Sequence, residues 1–255
     1  MTPNLAIILV ATGEKYREFA RQLIPQIRSR FTRHPKSIFL VTEEGADFLS
    51  PGERGAEPAS AVDEILPVIH LPMPLPSLLR YHWIDQLSDR LTPFSHVYYL
   101  DVDLTIEAEV GDEVLAPLVA VRHWAWPVRE WTFDATFESR PGSQATVDPR
   151  QATMYVQASV QGGERERYLS VVRELRGRIE RDLNLGFGCG GMIPVWWDES
   201  YWNWWVNRHP EQVRILPPEY AQGTAKWCRC PEVLRPAVIA QIDKSPAPAE
   251  DDGAS

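Results

Sequence analysis

Cysteine is scarce: Cys189, Cys228 and Cys230 are the whole supply in 255 residues. An odd number of thiols in a chain too long to need covalent stapling excludes a disulfide framework and points to reduced cysteines in a cytoplasmic setting. A lone Cys-x-Cys pair is also a poor zinc site, and there is no His-x-x-x-His spacing to make one. Long hydrophobic runs are missing as well. The apolar stretch at residues 5–11 falls far short of a membrane span and has no basic leader, and no later run exceeds it, so no transmembrane segment or export signal is expected. Positive charge is in deficit, with 26 Lys plus Arg against 35 Asp plus Glu and a net charge of -9. That balance excludes a broad nucleic-acid-binding face and leaves any anionic ligand to a metal or a few arginines.

What is present is ordinary for a globular protein, 44% hydrophobic and 24% charged. One domain over residues 1–244 is expected, followed by a disordered acidic tail at 245–255. Residues 5–10 form a continuous apolar run that reads as a central parallel strand, with Ala11-Thr12-Gly13 as the turn after it. Beyond Tyr16, Phe19, Ala20, Leu23, Ile24, Ile27 and Phe31 recur at helical spacing. Further strands are expected at 37–42 and 64–70, with a Gly-, Pro- and Glu-rich loop between them. The prolines of residues 71–76 predict a rigid connector. Ser77 then reads as the cap of a helix that carries Arg80, Tyr81 and His82 in its first turn. Gly162-Gly163 precedes a charged helix over 164–182 with one apolar stripe. Residues 183–192, with Gly186, Gly188, Gly190 and Gly191, read as a mobile loop, and 213–216 as a last short strand. This alternation predicts an α/β fold, a mostly parallel Rossmann-like sheet flanked by helices.

The chemistry centres on Val97-Tyr-Tyr-Leu-Asp101-Val-Asp103-Leu104. A buried strand running into two carboxylates one residue apart delivers charge where open α/β sheets bind ligands. Such a pair suits a hard divalent cation, Mn²⁺ or Mg²⁺, with positions left for a diphosphate. A solvated strand end is the bland alternative. With Thr105 the string also resembles the phosphoaspartate motif of haloacid-dehalogenase-type phosphatases. That motif needs a later Lys and a later acidic pair, whereas only Lys226 and Lys244 follow and no Gly-Asp-x-x-x-Asp does.

A second constellation is Trp196-Trp197-Asp198-Glu199-Ser200. Adjacent carboxylates in aromatic surroundings can have their pKa values driven apart, and one can face a sugar ring as nucleophile or charge stabiliser. Alternatively Asp198 caps a helix and Glu199 sits in its first turn. Six of the ten Trp residues lie between Trp196 and Trp227, where aromatic faces suit sugars and uracil although core packing is their default role. His82 and His123 are the histidines of interest by position.

Six strings in order resemble glycosyltransferase family 6, the family of the ABO blood-group transferases and α-1,3-galactosyltransferase, and particularly its short bacterial members. They are Pro76-Ser-Leu-Leu-Arg80-Tyr-His82, Tyr99-Leu-Asp101-Val-Asp103, Thr136-Phe-Glu138-Ser-Arg140-Pro-Gly-Ser-Gln-Ala145, Tyr155 through Gly163, Trp196 through Ser200, and Leu216-Pro-Pro-Glu219-Tyr220. The resemblance implies a GT-A fold and retaining, metal-dependent transfer of galactose or N-acetylgalactosamine. The donor would be UDP-galactose or UDP-N-acetylgalactosamine, and the acceptor a galactoside within an oligosaccharide or glycolipid, joined by an α-1,3 linkage. On that resemblance Asp101 and Asp103 match the metal pair. Glu199 matches the nucleophile or stabilising carboxylate, and Asp198 its donor-contacting neighbour. Arg80 matches a donor-contacting arginine, Ala11 and Tyr16 the uracil site, and Gln157 and Ser159 the positions that tune the donor sugar. Lys244 is a candidate for the diphosphate, on a C-terminal segment that closes over the donor. Trp196, Trp197 and His123 are the acceptor-side candidates, with Trp197 standing where the family has His. A carbohydrate-binding or nucleotide-sugar-binding protein without turnover is the contrasting class.

Overall fold

Unbroken apolar strands need cover on both faces, and the sheet shows how they obtain it. The computed structural model describes residues 2–46, 48, 61–124, 137–148, 150–184, 191–223 and 235–244. In chain order the elements are β1 (Leu5–Val10), α1 (Glu14–Arg30), β2 (Lys36–Glu43), β3 (Glu64–Val68), α2 (Leu75–Gln86), β4 (His96–Leu100), β5 (Leu104–Ile106) and β6 (Leu118–Arg122). They continue with β7 (Val156–Glu164), α3 (Arg165–Asn184), α4 (Trp197–Arg208), β8 (Arg214–Leu216) and β9 (Ile239–Gln241). The main sheet has seven strands in the order β3-β2-β1-β4-β7-β6-β8, and β5 pairs with β9 in a separate two-stranded sheet. All neighbours in the main sheet are parallel except at β7, which runs against both β4 and β6.

Alternate residues of each strand feed two cores. Ala6, Ile8, Val97, Tyr99, Val156 and Ala158 pack with α2, α3 and α4 on one face. Leu5, Ile7, Leu9, Tyr98, Leu100 and Val160 pack with α1 and with the β5–β9 pair on the other. The strand order reverses between β1 and β4, because β2 lies outside β1 while β7 lies beyond β4. A crevice opens at the carboxyl ends of strands at such a switch point. Because β7 is antiparallel to β4, with Leu100 opposite Val160, the first residues of β7 reach that same end.

The mixed α/β architecture is the expected one, with local corrections. Helix α2 starts at Leu75 inside the proline-rich connector, so Pro76 sits in its first turn, where a missing N–H costs no helical bond, and Ser77 is helical rather than its cap. Asp198 is not an N-cap either: Trp196 holds that position for α4, without a side-chain cap, and Asp198 is turned inward. Gly162 and Gly163 belong to β7, a strand that its mixed polar and glycine composition concealed, and β9 was equally unforeseen. The glycine-rich loop lies outside the described residues at 185–190, and the tail at 245–255 lies wholly outside them. Among the described residues no helix is long and apolar enough to cross a membrane.

The glycine pair is explained by close approach. A Cβ on Gly162 would fall 2.7 Å from Tyr98 Cα and nearer still to the Val97 carbonyl, and one on Gly163 would meet Leu118 Cα at 2.7 Å. Neither obstacle is a flexible side chain. Gly162→Ala is therefore expected to lower stability by about 1–3 kcal/mol through overpacking. Gly177→Ala in the middle of α3, where a Cβ meets only Arg181 Nη1 at 3.8 Å, should leave stability unchanged or raise it by up to about 1 kcal/mol. Urea denaturation midpoints of the two variants check this pair of outcomes.

Candidate functional site

Five segments meet at the switch point: the residues after β4, the start of β7, the first turns of α2, the first turn of α4, and the chain beyond β9. They surround a cleft of about 560 Å³ whose lining includes Tyr16, Arg80, Asp101, Asp103, Asp198 and Glu199. His123, Ser159, Trp196, Trp197 and Lys244 also line it. Ala11 and Gln157 do not. Ala11 is fully buried and spends its backbone on strand-end bonds to Val41 and Thr42. Gln157 is buried behind the cleft wall, donating from Nε2 to the Ala221 carbonyl at 2.6 Å. Its Oε1 accepts from Ser159 Oγ at 2.9 Å and from Gln241 Nε2 at 3.1 Å, so it orients two cleft residues instead of forming the wall. His82 faces away, next to Gln86 and Glu180 on the outer side of α2.

Arg80 is the hub. It is 6% exposed, with Nη2 3.2 Å from Asp101 Oδ1 and Nη1 3.1 Å from Asp198 Oδ2. Its guanidinium lies 4.3 Å from the centre of the Tyr99 ring. Burial works against the charge, but Asp198, Tyr99 and Asp101 outweigh it and hold the arginine pKa well above its ordinary value. Asp101 is fixed further by Tyr99, whose hydroxyl donates to Oδ1 at 2.6 Å, and by its own N–H donating to the Ser159 carbonyl at 2.8 Å. Buried Asp103 pairs with Lys244 Nζ. Burial and then the neighbouring Asp101 push the Asp103 pKa up, with Lys244 opposing. Like charges sharing a small space in this way are what a cation relieves. Among the described residues no group of three His, Cys, Asp or Glu side chains surrounds a common point. A metal at Asp101 and Asp103 would therefore draw the rest of its shell from a ligand and water, as hard cations at phosphate sites do.

The other half of the cleft rests on β7 and α4. Asn203 clamps the two together: its Oδ1 accepts from Val156 N at 2.9 Å, and its Nδ2 donates to the Val156 carbonyl at 2.6 Å and to the Glu199 carbonyl at 3.0 Å. Glu199 consequently points at β7. Tyr155 Oη donates to its Oε1 at 2.8 Å and Ala158 N–H to its Oε2 at 3.1 Å. Burial pushes Glu199 up to about 8, against the pull of the Tyr155 hydrogen bond and with help from Asp198. Burial likewise takes Asp198 up to about 7, with Arg80 lowering it and Asp101 adding to the rise. Tyr155 is kept protonated, first by burial and then by Glu199, and so serves as a donor. His123 is held neutral, its pKa driven down to about 3 by burial, with its ring 5.4 Å from that of Tyr155.

Tyr155, Asn203 and Gln241 are the contributors that sequence reasoning missed. Tyr155 opened one of the family-like strings, but nothing in its neighbours signalled a partner on α4. Of the Trp-rich segment, Trp202, Trp204 and Trp205 are core, while Trp196 and Trp197 are half-exposed at the cleft; Trp227 lies outside the described residues. Trp197 has φ 51°, in the left-handed region that a bulky side chain rarely adopts. Backbone strain of this kind gathers at functional sites.

Residues 77–247 match the family model described as glycosyltransferase family 6, more than half of the chain. Histo-blood group ABO system transferase 2 of Rattus norvegicus is 28% identical over 150 residues, covering 54% of this chain and 43% of the relative. An uncharacterized mitochondrial protein of Mus musculus, the C15orf62 homolog, is 32% identical over 89 residues, covering 34% of this chain and 41% of the relative. The chain thus spans less than half the length of either curated relative. The matched region runs from the first turn of α2 past Lys244 and takes in Arg80, Asp101, Asp103, Asp198 and Glu199. The chain belongs to glycosyltransferase family 6.

Proposed function

We propose that this chain transfers galactose or N-acetylgalactosamine from the corresponding UDP-sugar to a galactoside, with retention at the anomeric carbon and an α-1,3 linkage. One observation carries the reading: Arg80 ties a diphosphate-type acidic pair to a sugar-type acidic pair inside one cleft. A bare binding module has no need of buried carboxylates pushed towards neutrality, whereas a transferase uses them to meet charge that develops during reaction. Family membership favours the transferase over the phosphatase reading of Asp101 and Asp103 as well.

In this account Asp101 and Asp103 hold Mn²⁺, with Mg²⁺ as the alternative, and the metal supplies Lewis-acid stabilisation of the departing diphosphate. Tyr16 flanks the uracil. Lys244, whose ammonium lies 5.6 Å from the Tyr16 ring centre, turns from Asp103 towards the phosphate oxygens as the donor enters. Ser159, oriented by Gln157, contacts the donor sugar, and Asp198 does so from the opposite wall. Glu199 faces the anomeric carbon. Its two hydrogen bonds fix the carboxylate plane, and its raised pKa marks an anion that gains by meeting positive charge. Trp196, Trp197 and His123 receive the acceptor.

The test is Glu199→Gln. Transfer should fall by about 10²–10³-fold in kcat, the usual cost of losing a charge-stabilising group, while calorimetric titration with UDP gives an unchanged affinity. Unchanged transfer would contradict the assignment. Glu199 acts as its anion, and its pKa in the free protein is about 8. The active fraction therefore grows as pH rises, and kcat/KM should climb from pH 6 towards 9; a profile flat over that range would count against it. For the metal, Asp103→Asn should bring UDP affinity in Mn²⁺ down to the value measured in EDTA. A variant that keeps a full Mn²⁺ enhancement would remove Asp103 from the metal site.

A further inference from the structure

Every large hydrophobic side chain that the described residues leave exposed belongs to one of two short segments. Ile69 and Met73 lie on the connector from β3 to α2, and Ile193, Val195, Trp196 and Trp197 on the approach to α4. Both segments border the cleft, the first through Leu71, Pro72 and Met73 and the second through Trp196 and Trp197. Scattered apolar side chains on a surface need no explanation, but confinement of all of them to the rim of one cavity does. The backbone of the second segment is held from below. Val195 N–H donates to Glu138 Oε2 at 3.0 Å, and Arg140 Nη2 donates to the Ile193 carbonyl at 2.6 Å, so these side chains are presented outwards on an ordered base. Ile69 at 74% exposure is the extreme case.

From this we infer that the acceptor carries an apolar aglycone, and that the rim formed by residues 69–73 and 193–197 binds it next to the sugar. The inference rests on the reading of the cleft as a transfer site for galactosides. Trp196 and Trp197 belong both to the cleft lining and to the second rim segment, so the rim adjoins the wall that this reading assigns to the acceptor. A net charge of -9 makes an anionic membrane surface a poor competitor for the same patch. The aglycone chemistry is an alkyl or lipid chain, and its length adds affinity that the sugar alone does not supply.

The experiment compares methyl and hexyl β-galactosides, both below micellar concentration. Binding is measured by calorimetry in the presence of UDP and Mn²⁺, and transfer is measured separately with the two UDP-sugars. The hexyl compound should bind at least tenfold more tightly, about 1.4 kcal/mol, which corresponds to burial of about two of its five additional methylenes. Ile69→Ser/Val195→Ser should erase that advantage and leave the methyl galactoside unchanged. Equal affinities, or an advantage that survives in the double variant, would overturn the inference. So would equal loss in the double variant of sedimentation with acceptor-free phosphatidylcholine vesicles, which would assign the rim to a membrane. If the hexyl preference is present and sensitive to the double variant but neither glycoside is turned over, the rim stands and the transferase reading falls.

Discussion

A guanidinium buried without compensation would cost several kcal/mol, and Arg80 is tolerable only because Asp101 and Asp198 flank it. That single constraint organises the site. Asp101 follows β4, Asp198 opens α4, and Arg80 comes from α2, so three elements distant in sequence must arrive together for any one of them to be stable. Removing either carboxylate leaves the buried guanidinium with one ion-pair partner instead of two, and removing the arginine sets two carboxylates against each other. Arg80 Nε still has no hydrogen-bond partner among the described residues, and Asp198 Oδ2 is held by the ion pair to Arg80 Nη1.

The same constraint links the two chemical halves. Asp101 shares its environment with Asp103 and Lys244, and Asp198 with Glu199 and Tyr155. A charge introduced beside Asp101 is felt through Arg80 at Asp198. The antiparallel strand β7 makes this possible by bringing Tyr155, Ala158 and Ser159 to the carboxyl end of parallel β4. It reaches that position only because Gly162 and Gly163 let its far end run hard against β4 and β6.

The parallel half of the fold was legible in the sequence because β1, β2 and β4 are buried on both faces and read as unbroken apolar runs. α1 and α3 were legible from periodicity. β7 was not, since its glycines and glutamines are dictated by close backbone approach and by hydrogen bonds to Tyr81, Tyr168 and Ser159, which no local pattern encodes. Within the site, Asp101 and Asp103 were visible as charge at a strand end. Asp198 was ambiguous, because a carboxylate at the start of a helix looks like a cap until its buried arginine is seen. Gln157 reaches the cleft only through Ser159 and Gln241, by hydrogen bonds that no local sequence pattern encodes.

The claim that one cleft grips a diphosphate at Asp101 and Asp103 while Glu199 handles the sugar is tested most directly by UDP release. UDP-galactose and UDP-N-acetylgalactosamine would each be incubated with the protein in Mn²⁺ or in EDTA, with and without lactose. The account predicts release from at least one donor in Mn²⁺, faster with lactose and abolished by EDTA. No metal-dependent release from either donor would contradict it.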